Sequence, residues 1–312
     1  MGYRLIQDET LPRGLRRIAR DEIDSAIAQL GTKDPAKHDH AIHEARKSIK
    51  KLRGLLRMLS PVLGPSAHTD IAAMGALGRS LSEFRDAAAL VETIEMLAHH
   101  CRRDEVLEQL TTLRRTMRRR AEVTSRRADA RIVLEQGIIG LRHLKRATAA
   151  WKLEDGFALI EPGLKRSYRR GKDALKLVRG EPTAVNFHNL RKRVKDRWYQ
   201  VRVLEGIWPH PAHSPEKALR DLQEDLGDDH NLEVLRAFIP ADFAALLELV
   251  DSMHKDLREK SLAVAGSLYE RKPGDFVDEL KSLWDEWRPE PLPAPKRAKP
   301  ATSRPVRAAS VA

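Results

Sequence analysis

A chain of 312 residues that is 41% hydrophobic can bury a sizeable core, which excludes a disordered polymer, and its length suits one large domain or two closely packed repeats. Lys and Arg number 57 against 45 Asp and Glu, for a formal net charge of +12 with 33% of residues charged, so the natural partners are anionic. A single cysteine, Cys101, excludes an intramolecular disulfide framework.

The start, MGYRLIQDETLPRGLRR, lacks the apolar core of a signal peptide, and Ile6 stands where a myristoylation signal requires Ser or Thr. No stretch approaches the roughly 18 to 20 apolar residues that span a bilayer. The expectation is a cytoplasmic, soluble protein without a membrane partner.

Apolar residues recur at intervals of three and four almost everywhere, and no Val/Ile/Tyr-rich run alternates with polar residues between hairpin turns, so the expected class is all-α. The first helix carries Arg13, Arg16, Arg17 and Arg20 at helical intervals. The next, from about His40, has an apolar stripe of Ile42, Ala45, Ile49, Leu52, Leu56 and Leu59. Offset from it, His43, Arg46, Lys47, Lys50 and Arg57 make a basic stripe about 21 Å long at 1.5 Å per residue. Breaks are expected at 31–35 and 61–65. The run LSEFRDAAALVETIEML then places Arg85 and Asp86 before further apolar residues, and Arg118, Arg119 and Arg120 read as a solvated face.

The later part repeats this order. GLKRSYR from Gly163 matches GLRRIAR from Gly14, which brings Lys165, Arg166, Arg169 and Arg170 opposite the first arginines. HNLRKRVKDRWYQVRVL from His188 matches HEARKSIKKLRGLLRML from His43, pairing His188, Arg191, Lys192, Lys195 and Arg202 with His43, Arg46, Lys47, Lys50 and Arg57 at one separation of 145 positions. Arg193 and Arg197 widen the second stripe. The same separation pairs Leu77 with Leu222, Leu81 with Leu226, Asp86 with Asn231 and Leu90 with Leu235. Farther on, Leu107, Leu110, Leu113 and Met117 pair with Leu247, Val250, Met253 and Leu257 at 140. Breaks are expected at 180–182, 208–215 and at Pro273-Gly274. The implied organisation is two halves of roughly four helices each, 11–150 and 151–288, packed about a pseudo-two-fold axis with equivalent helices facing across a shared centre. From 289 to 312 the chain is a basic Pro/Ala-rich tail, expected to be disordered.

Two cationic faces brought within about 8 Å would repel by roughly 2 kcal/mol per charge pair at an effective dielectric near 20. Stability alone gives no reason to build them, and the stripes carry almost no carboxylate: Glu44 and Asp196 fall off their axis. An anion-binding face follows. The histidines that open each stripe would donate hydrogen bonds to that anion. A metal site at His38, Asp39, His40 and His43 is a weak reading, because the second half lacks the first three. Asp86 and Asp228 or Asp229 are expected to orient arginines.

With the repeated H-x-x-R-K-x-x-K stripe, GLKRSYRRGK, RDAAAL and LGDDHNL in view, the chain resembles the CHAD family, the conserved-histidine α-helical domains, from about Leu11 to Trp287. The resemblance implies a two-lobed helical fold whose central basic pore binds inorganic polyphosphate, without catalysis or cofactor, in proteins associated with polyphosphate granules and their proteins. It makes pore-lining candidates of His43, Arg46, Lys47, Lys50, Arg57, His188, Arg191, Lys192, Lys195 and Arg202, with Arg16, Arg17, Arg20, Lys165, Arg166, Arg169 and Arg170 flanking. The halves diverge where Lys51 aligns with Asp196 and Arg53 with Trp198. Some relatives carry a tunnel-type triphosphate-processing domain, for which the N-terminal segment is too short. Nucleic acid is the alternative partner, weakened by an aromatic content of 5%. A metal-dependent phosphohydrolase is the alternative activity, weakened by the lack of a repeated carboxylate or histidine set.

Overall fold

The computed structural model describes residues 2–32, 34, 38–84, 86–125 and 130–288. The expected tail at 289–312 and Arg85 lie outside them. The helices are α1 (Leu11–Leu30), α2 (His38–Leu63), α3 (Pro65–Ser80), α4 (Asp86–His100), α5 (Asp104–Ser125), α6 (Ala130–Ala149), α7 (Glu161–Gly180), α8 (Ala184–Val203), α9 (Glu216–Arg236), α10 (Ala244–Leu268) and α11 (Pro273–Trp287). No strand occurs among the described residues, so the protein is all-α.

Local chemistry accounts for the boundaries. Pro12 sits in the first turn of α1, where no amide donor is missed, and the Leu11 N–H donates to Asp155 Oδ1 at 2.9 Å. Thr183 caps α8, its hydroxyl oxygen accepting from the Asn186 N–H at 3.3 Å. Pro61 is retained inside the end of α2, and the chain turns at Gly64, whose φ of 67° is strained for any residue with a side chain. Pro273, expected as a breaker, opens α11.

The halves hold more helices than the expected four: six precede residue 150 and five follow residue 160. The surplus has two sources. Leu81–Phe84 form a turn that separates α3 from α4, whereas the aligned stretch 226–229 runs unbroken through α9. In addition, α6 and α11 lie beyond the last residues that the internal alignment paired.

Two apolar cores result. The larger takes one face each of α1, α2, α7 and α8, with Leu15, Ile18, Leu52, Leu56, Tyr168 and Leu190 all buried in it. A smaller one joins α4 and α5, through Leu97 and Leu110, to α9 and α10, through Leu235 and Leu246. Arg197, expected on the basic stripe, turns away from it. It is buried under Tyr168, Tyr269 and Phe276, its guanidinium carbon 4.8, 4.9 and 5.0 Å from their ring centres, and donates to the Leu268 carbonyl at 2.5 Å.

Glycines allow the helices to cross closely. A methyl group on Gly54 of α2 would lie 2.8 Å from the Tyr199 Cβ of α8, and one on Gly163 of α7 would lie 1.7 Å from the Met58 carbonyl oxygen of α2. Since the second obstacle is backbone, no rotamer change relieves it. Gly163→Ala is expected to lower stability by about 3 kcal/mol or more, the upper range for an overpacked core. Urea denaturation measures it; a wild-type midpoint would mean that α7 and α2 cross farther apart.

Candidate functional site

The crossing of α2 and α8 brings their basic stripes together beside α3. Arg46, Lys50, Arg53 and Arg57 recur along α2 at intervals of four, three and four, one face of the helix. From α8 come His188, Lys192, Lys195, Asp196 and Tyr199, and from α3 Arg79, with Ser82 just beyond it. These groups line a cavity of about 470 Å³. Seven lysines and arginines and one histidine therefore face one carboxylate, Asp196.

Asp196 corrects the expectation that it lies off the stripe. It is buried, accepts a hydrogen bond from Arg57 Nη1, and has Arg193 Nη1 at 3.7 Å from its other oxygen. Burial pushes its carboxyl above the usual range against the pull of Arg57 and Arg193. The cations bear the complementary stress. Burial, together with Arg191, Lys50 and Arg46, lowers the Lys195 ammonium to about 6, and burial, then repulsion from Arg57 and Arg79 against the pull of Asp196, lowers Arg53. His188 packs on His230 of α9 with ring centres 4.6 Å apart, and burial followed by repulsion from neighbouring cations lowers both, His230 to about 4.

Of the other expected groups, Arg191 lies one turn from Lys195, against Gly227 of α9, and feels the charges of Asp228 and Asp229. His43 is half-buried one turn before Arg46, outside the lining. Lys47 is exposed and pairs with Glu44 at 2.8 Å, and Arg202 packs over Tyr3 and Trp198 at 5.6 and 5.1 Å. Both lie outside the lining.

The flanking sets part company. Arg166 donates to the Arg57 carbonyl at 2.9 Å and to the Ser60 hydroxyl, and Arg170 is near enough to Arg166 and Arg193 for like-charge repulsion. Lys165 is half-buried and Arg169 exposed on the same helix, neither in the lining. Arg16, by contrast, donates to the Trp151 carbonyl at 2.5 Å and ties α1 to the segment after α6, while Arg17 pairs with Glu9 at 2.5 Å and holds the N-terminal segment in place. Arg20 opens onto a separate surface groove with Arg142, Lys145 and Arg146.

Of the acids expected to orient arginines, Asp229 does so. Asp229 accepts from Arg258 Nε at 2.7 Å and meets His254 Nδ1 at 2.8 Å, tying α9 to α10, while Asp86 is exposed at the start of α4 and is influenced by Arg46. Arg53 and Arg79 were missed as site residues. Arg53 could have been found from its spacing on the stripe; its aligned partner Trp198 hid it. Arg79 has no basic counterpart and left no signal. Among the described residues, no group of three or more His, Cys, Asp or Glu is placed to hold a metal, and no helix is long and apolar enough to cross a membrane.

Cations thus converge from crossed helices within an all-α domain. The chain belongs to the CHAD domain family, whose model matches residues 22–240. Its fold is similar to the crystal structure of the CHAD domain from the plant Ricinus communis, with a TM-score of 0.57 and 18% identity over 90% of this chain and 93% of that one. No curated protein matches the chain.

Proposed function

We propose that this protein binds inorganic polyphosphate, without turning it over, in the cavity between α2 and α8. One observation carries the reading: seven lysines and arginines face one cavity that contains one carboxylate. Polyphosphate has about one negative charge per phosphate on an unbranched chain, so it needs cations in series and little shape discrimination. Arginines can fork onto two oxygens, whereas lysines act as compact charges.

The cavity is the centre of a duplicated unit, 11–150 and 151–288. The contacts support this: α1 packs on α2 and α6 as α7 packs on α8 and α11, α4 meets α5 as α9 meets α10, and the equivalent pairs α2 with α8 and α5 with α10 touch each other. His43, Lys47 and Arg202, with Arg166 and Arg170, would then guide the polymer at the margins, while Arg16, Arg17 and Arg20 serve structure or another face. Tyr199 is the one aromatic in the lining, which disfavours stacked nucleic-acid bases, and Asp196, already held by arginines, offers a hydrolytic metal no free donor set. The setting is cytoplasmic, at polyphosphate granules or with proteins that coat them.

Affinity measured by calorimetry against long-chain polyphosphate is expected to fall with salt. Neutralising about six phosphates on a flexible chain implies a log–log slope near −4, or a loss of roughly 300-fold between 50 and 200 mM. A flat salt response, or displacement by duplex DNA or RNA at equal nucleotide concentration, would remove the assignment.

A further inference from the structure

Seven lysines and arginines crowd the cavity around a single carboxylate. Lys195 is the extreme case. It projects from the middle of α8, with Arg191 one turn away on its own helix and Arg46 and Lys50 facing it from α2. Further along the cavity stand Arg53, Arg57 and Lys192, with Arg79 contributed by α3. The carboxylates are engaged elsewhere: Asp196 with Arg57 and Arg193, Asp229 with Arg258 and His254, while Asp228 acts on Arg191 and Asp86 on Arg46. None of them forms an ion pair with Lys195 among the described residues. The adjoining histidines, His188 on α8 and His230 on α9, face one another without an acidic partner between them, and the buried Nδ1 of His188 has no hydrogen-bond partner.

Resting on the polyphosphate reading above, we infer that the polymer enters this cavity together with protons: Lys195 is neutral while the cavity is empty and becomes an ammonium ion as phosphate oxygens arrive. The proton passes from water to Nζ, and the new N–H bonds point at the anion. His188 and His230 can take up further protons by the same mechanism, both being held neutral by burial and by surrounding cations. The cavity thus matches its positive charge to its contents, and binding becomes a function of pH.

The sign follows from linkage. Burial, with Arg191, Lys50 and Arg46, pushes the Lys195 ammonium down to about 6 in the free protein. Above that pH the complex holds more protons than the free protein, so affinity rises as pH falls, by up to about tenfold per pH unit for each proton taken up. Below pH 6 free and bound forms are both protonated at this site, and its contribution levels off. Between pH 8 and 6 the expected tightening from Lys195 alone is about 100-fold at most. Internal phosphates of a long chain stay ionised throughout, so the ligand adds little to this slope.

The test is titration of the full chain with long-chain polyphosphate at pH 7.5 in two buffers of different ionisation enthalpy. The difference in apparent heat gives the protons absorbed, and about one or more per cavity is expected. In Lys195→Arg, where the side chain stays charged, uptake should fall by about one while binding persists. A ligand-free readout accompanies it: relative to Lys195→Met, the wild type should gain thermal stability as pH rises from 6 to 9, because the unfolded lysine keeps the proton that the folded one has shed. Tight binding with no buffer dependence would overturn proton uptake and leave the polyphosphate reading standing. No binding at pH 6 or pH 8 would overturn both.

Discussion

Replacing Arg46, Lys50 and Lys192 together by glutamate is expected to weaken polyphosphate binding by more than about 1000-fold. Each charge-assisted hydrogen bond contributes on the order of 1.5–3 kcal/mol, so losing three already reaches that range before the added repulsion between glutamate and phosphate. The helices should survive. All three positions line the cavity, whereas α2 is held to its neighbours by Ile42, Ala45, Leu52 and Leu56, which do not line it, and α8 by Phe187, Leu190 and Val194. Circular dichroism should therefore be unchanged while calorimetric binding disappears.

A matched variant separates this site from a general effect of charge. Arg115, Arg119 and Lys255 are exposed on α5 and α10, outside the cavity. Reversing those three changes the net charge equally, yet should weaken binding only a few-fold, because charges farther apart than a Debye length of about 8 Å are largely screened at physiological salt. Equal losses in the two variants would mean that polyphosphate is held by the surface at large.

The contrast between stripe and surface was partly legible in the residues. Helical period separated Arg46, Lys50 and Arg57 from the core positions of the same helix, and the internal repeat led from them to His188, Lys192 and Lys195. Six of the ten stripe candidates line the cavity. Periodicity assigns a face but not what that face meets, which is why Lys47 and Arg202, on the right helices, lie outside it. Repetition also misled where the copies diverged. Arg197 stands where the earlier half has the core residue Leu52, and it is buried in an aromatic cage; Lys51, aligned with Asp196, pairs with Glu22 of α1 at 2.6 Å. Arg79 and the turn at Leu81–Phe84 depend on tertiary placement that one copy has and the other lacks.

Asp196 is where the demands of folding and of binding oppose each other, and Asp196→Asn should separate them. Without ligand, removing the carboxylate leaves Arg57 and Arg193 without their shared counter-ion, next to Arg53 and Lys192. Breaking such a buried pair from one side costs about 3–5 kcal/mol, which corresponds to a fall in Tm of roughly 5–8 °C for a chain of this size. The same change deletes the lining's single anion, so phosphate oxygens no longer compete with it for Arg57. Polyphosphate should bind several-fold more tightly, and at saturating ligand the variant should recover more of its Tm than the wild type gains. Thermal melts with and without polymer measure both effects. A variant that melts lower but binds more weakly would show that Asp196 aims Arg57 and Arg193 at the ligand rather than competing with it. The expected opposite result makes this carboxylate a built-in stand-in for phosphate, which lets a cation-lined interior fold before its ligand arrives.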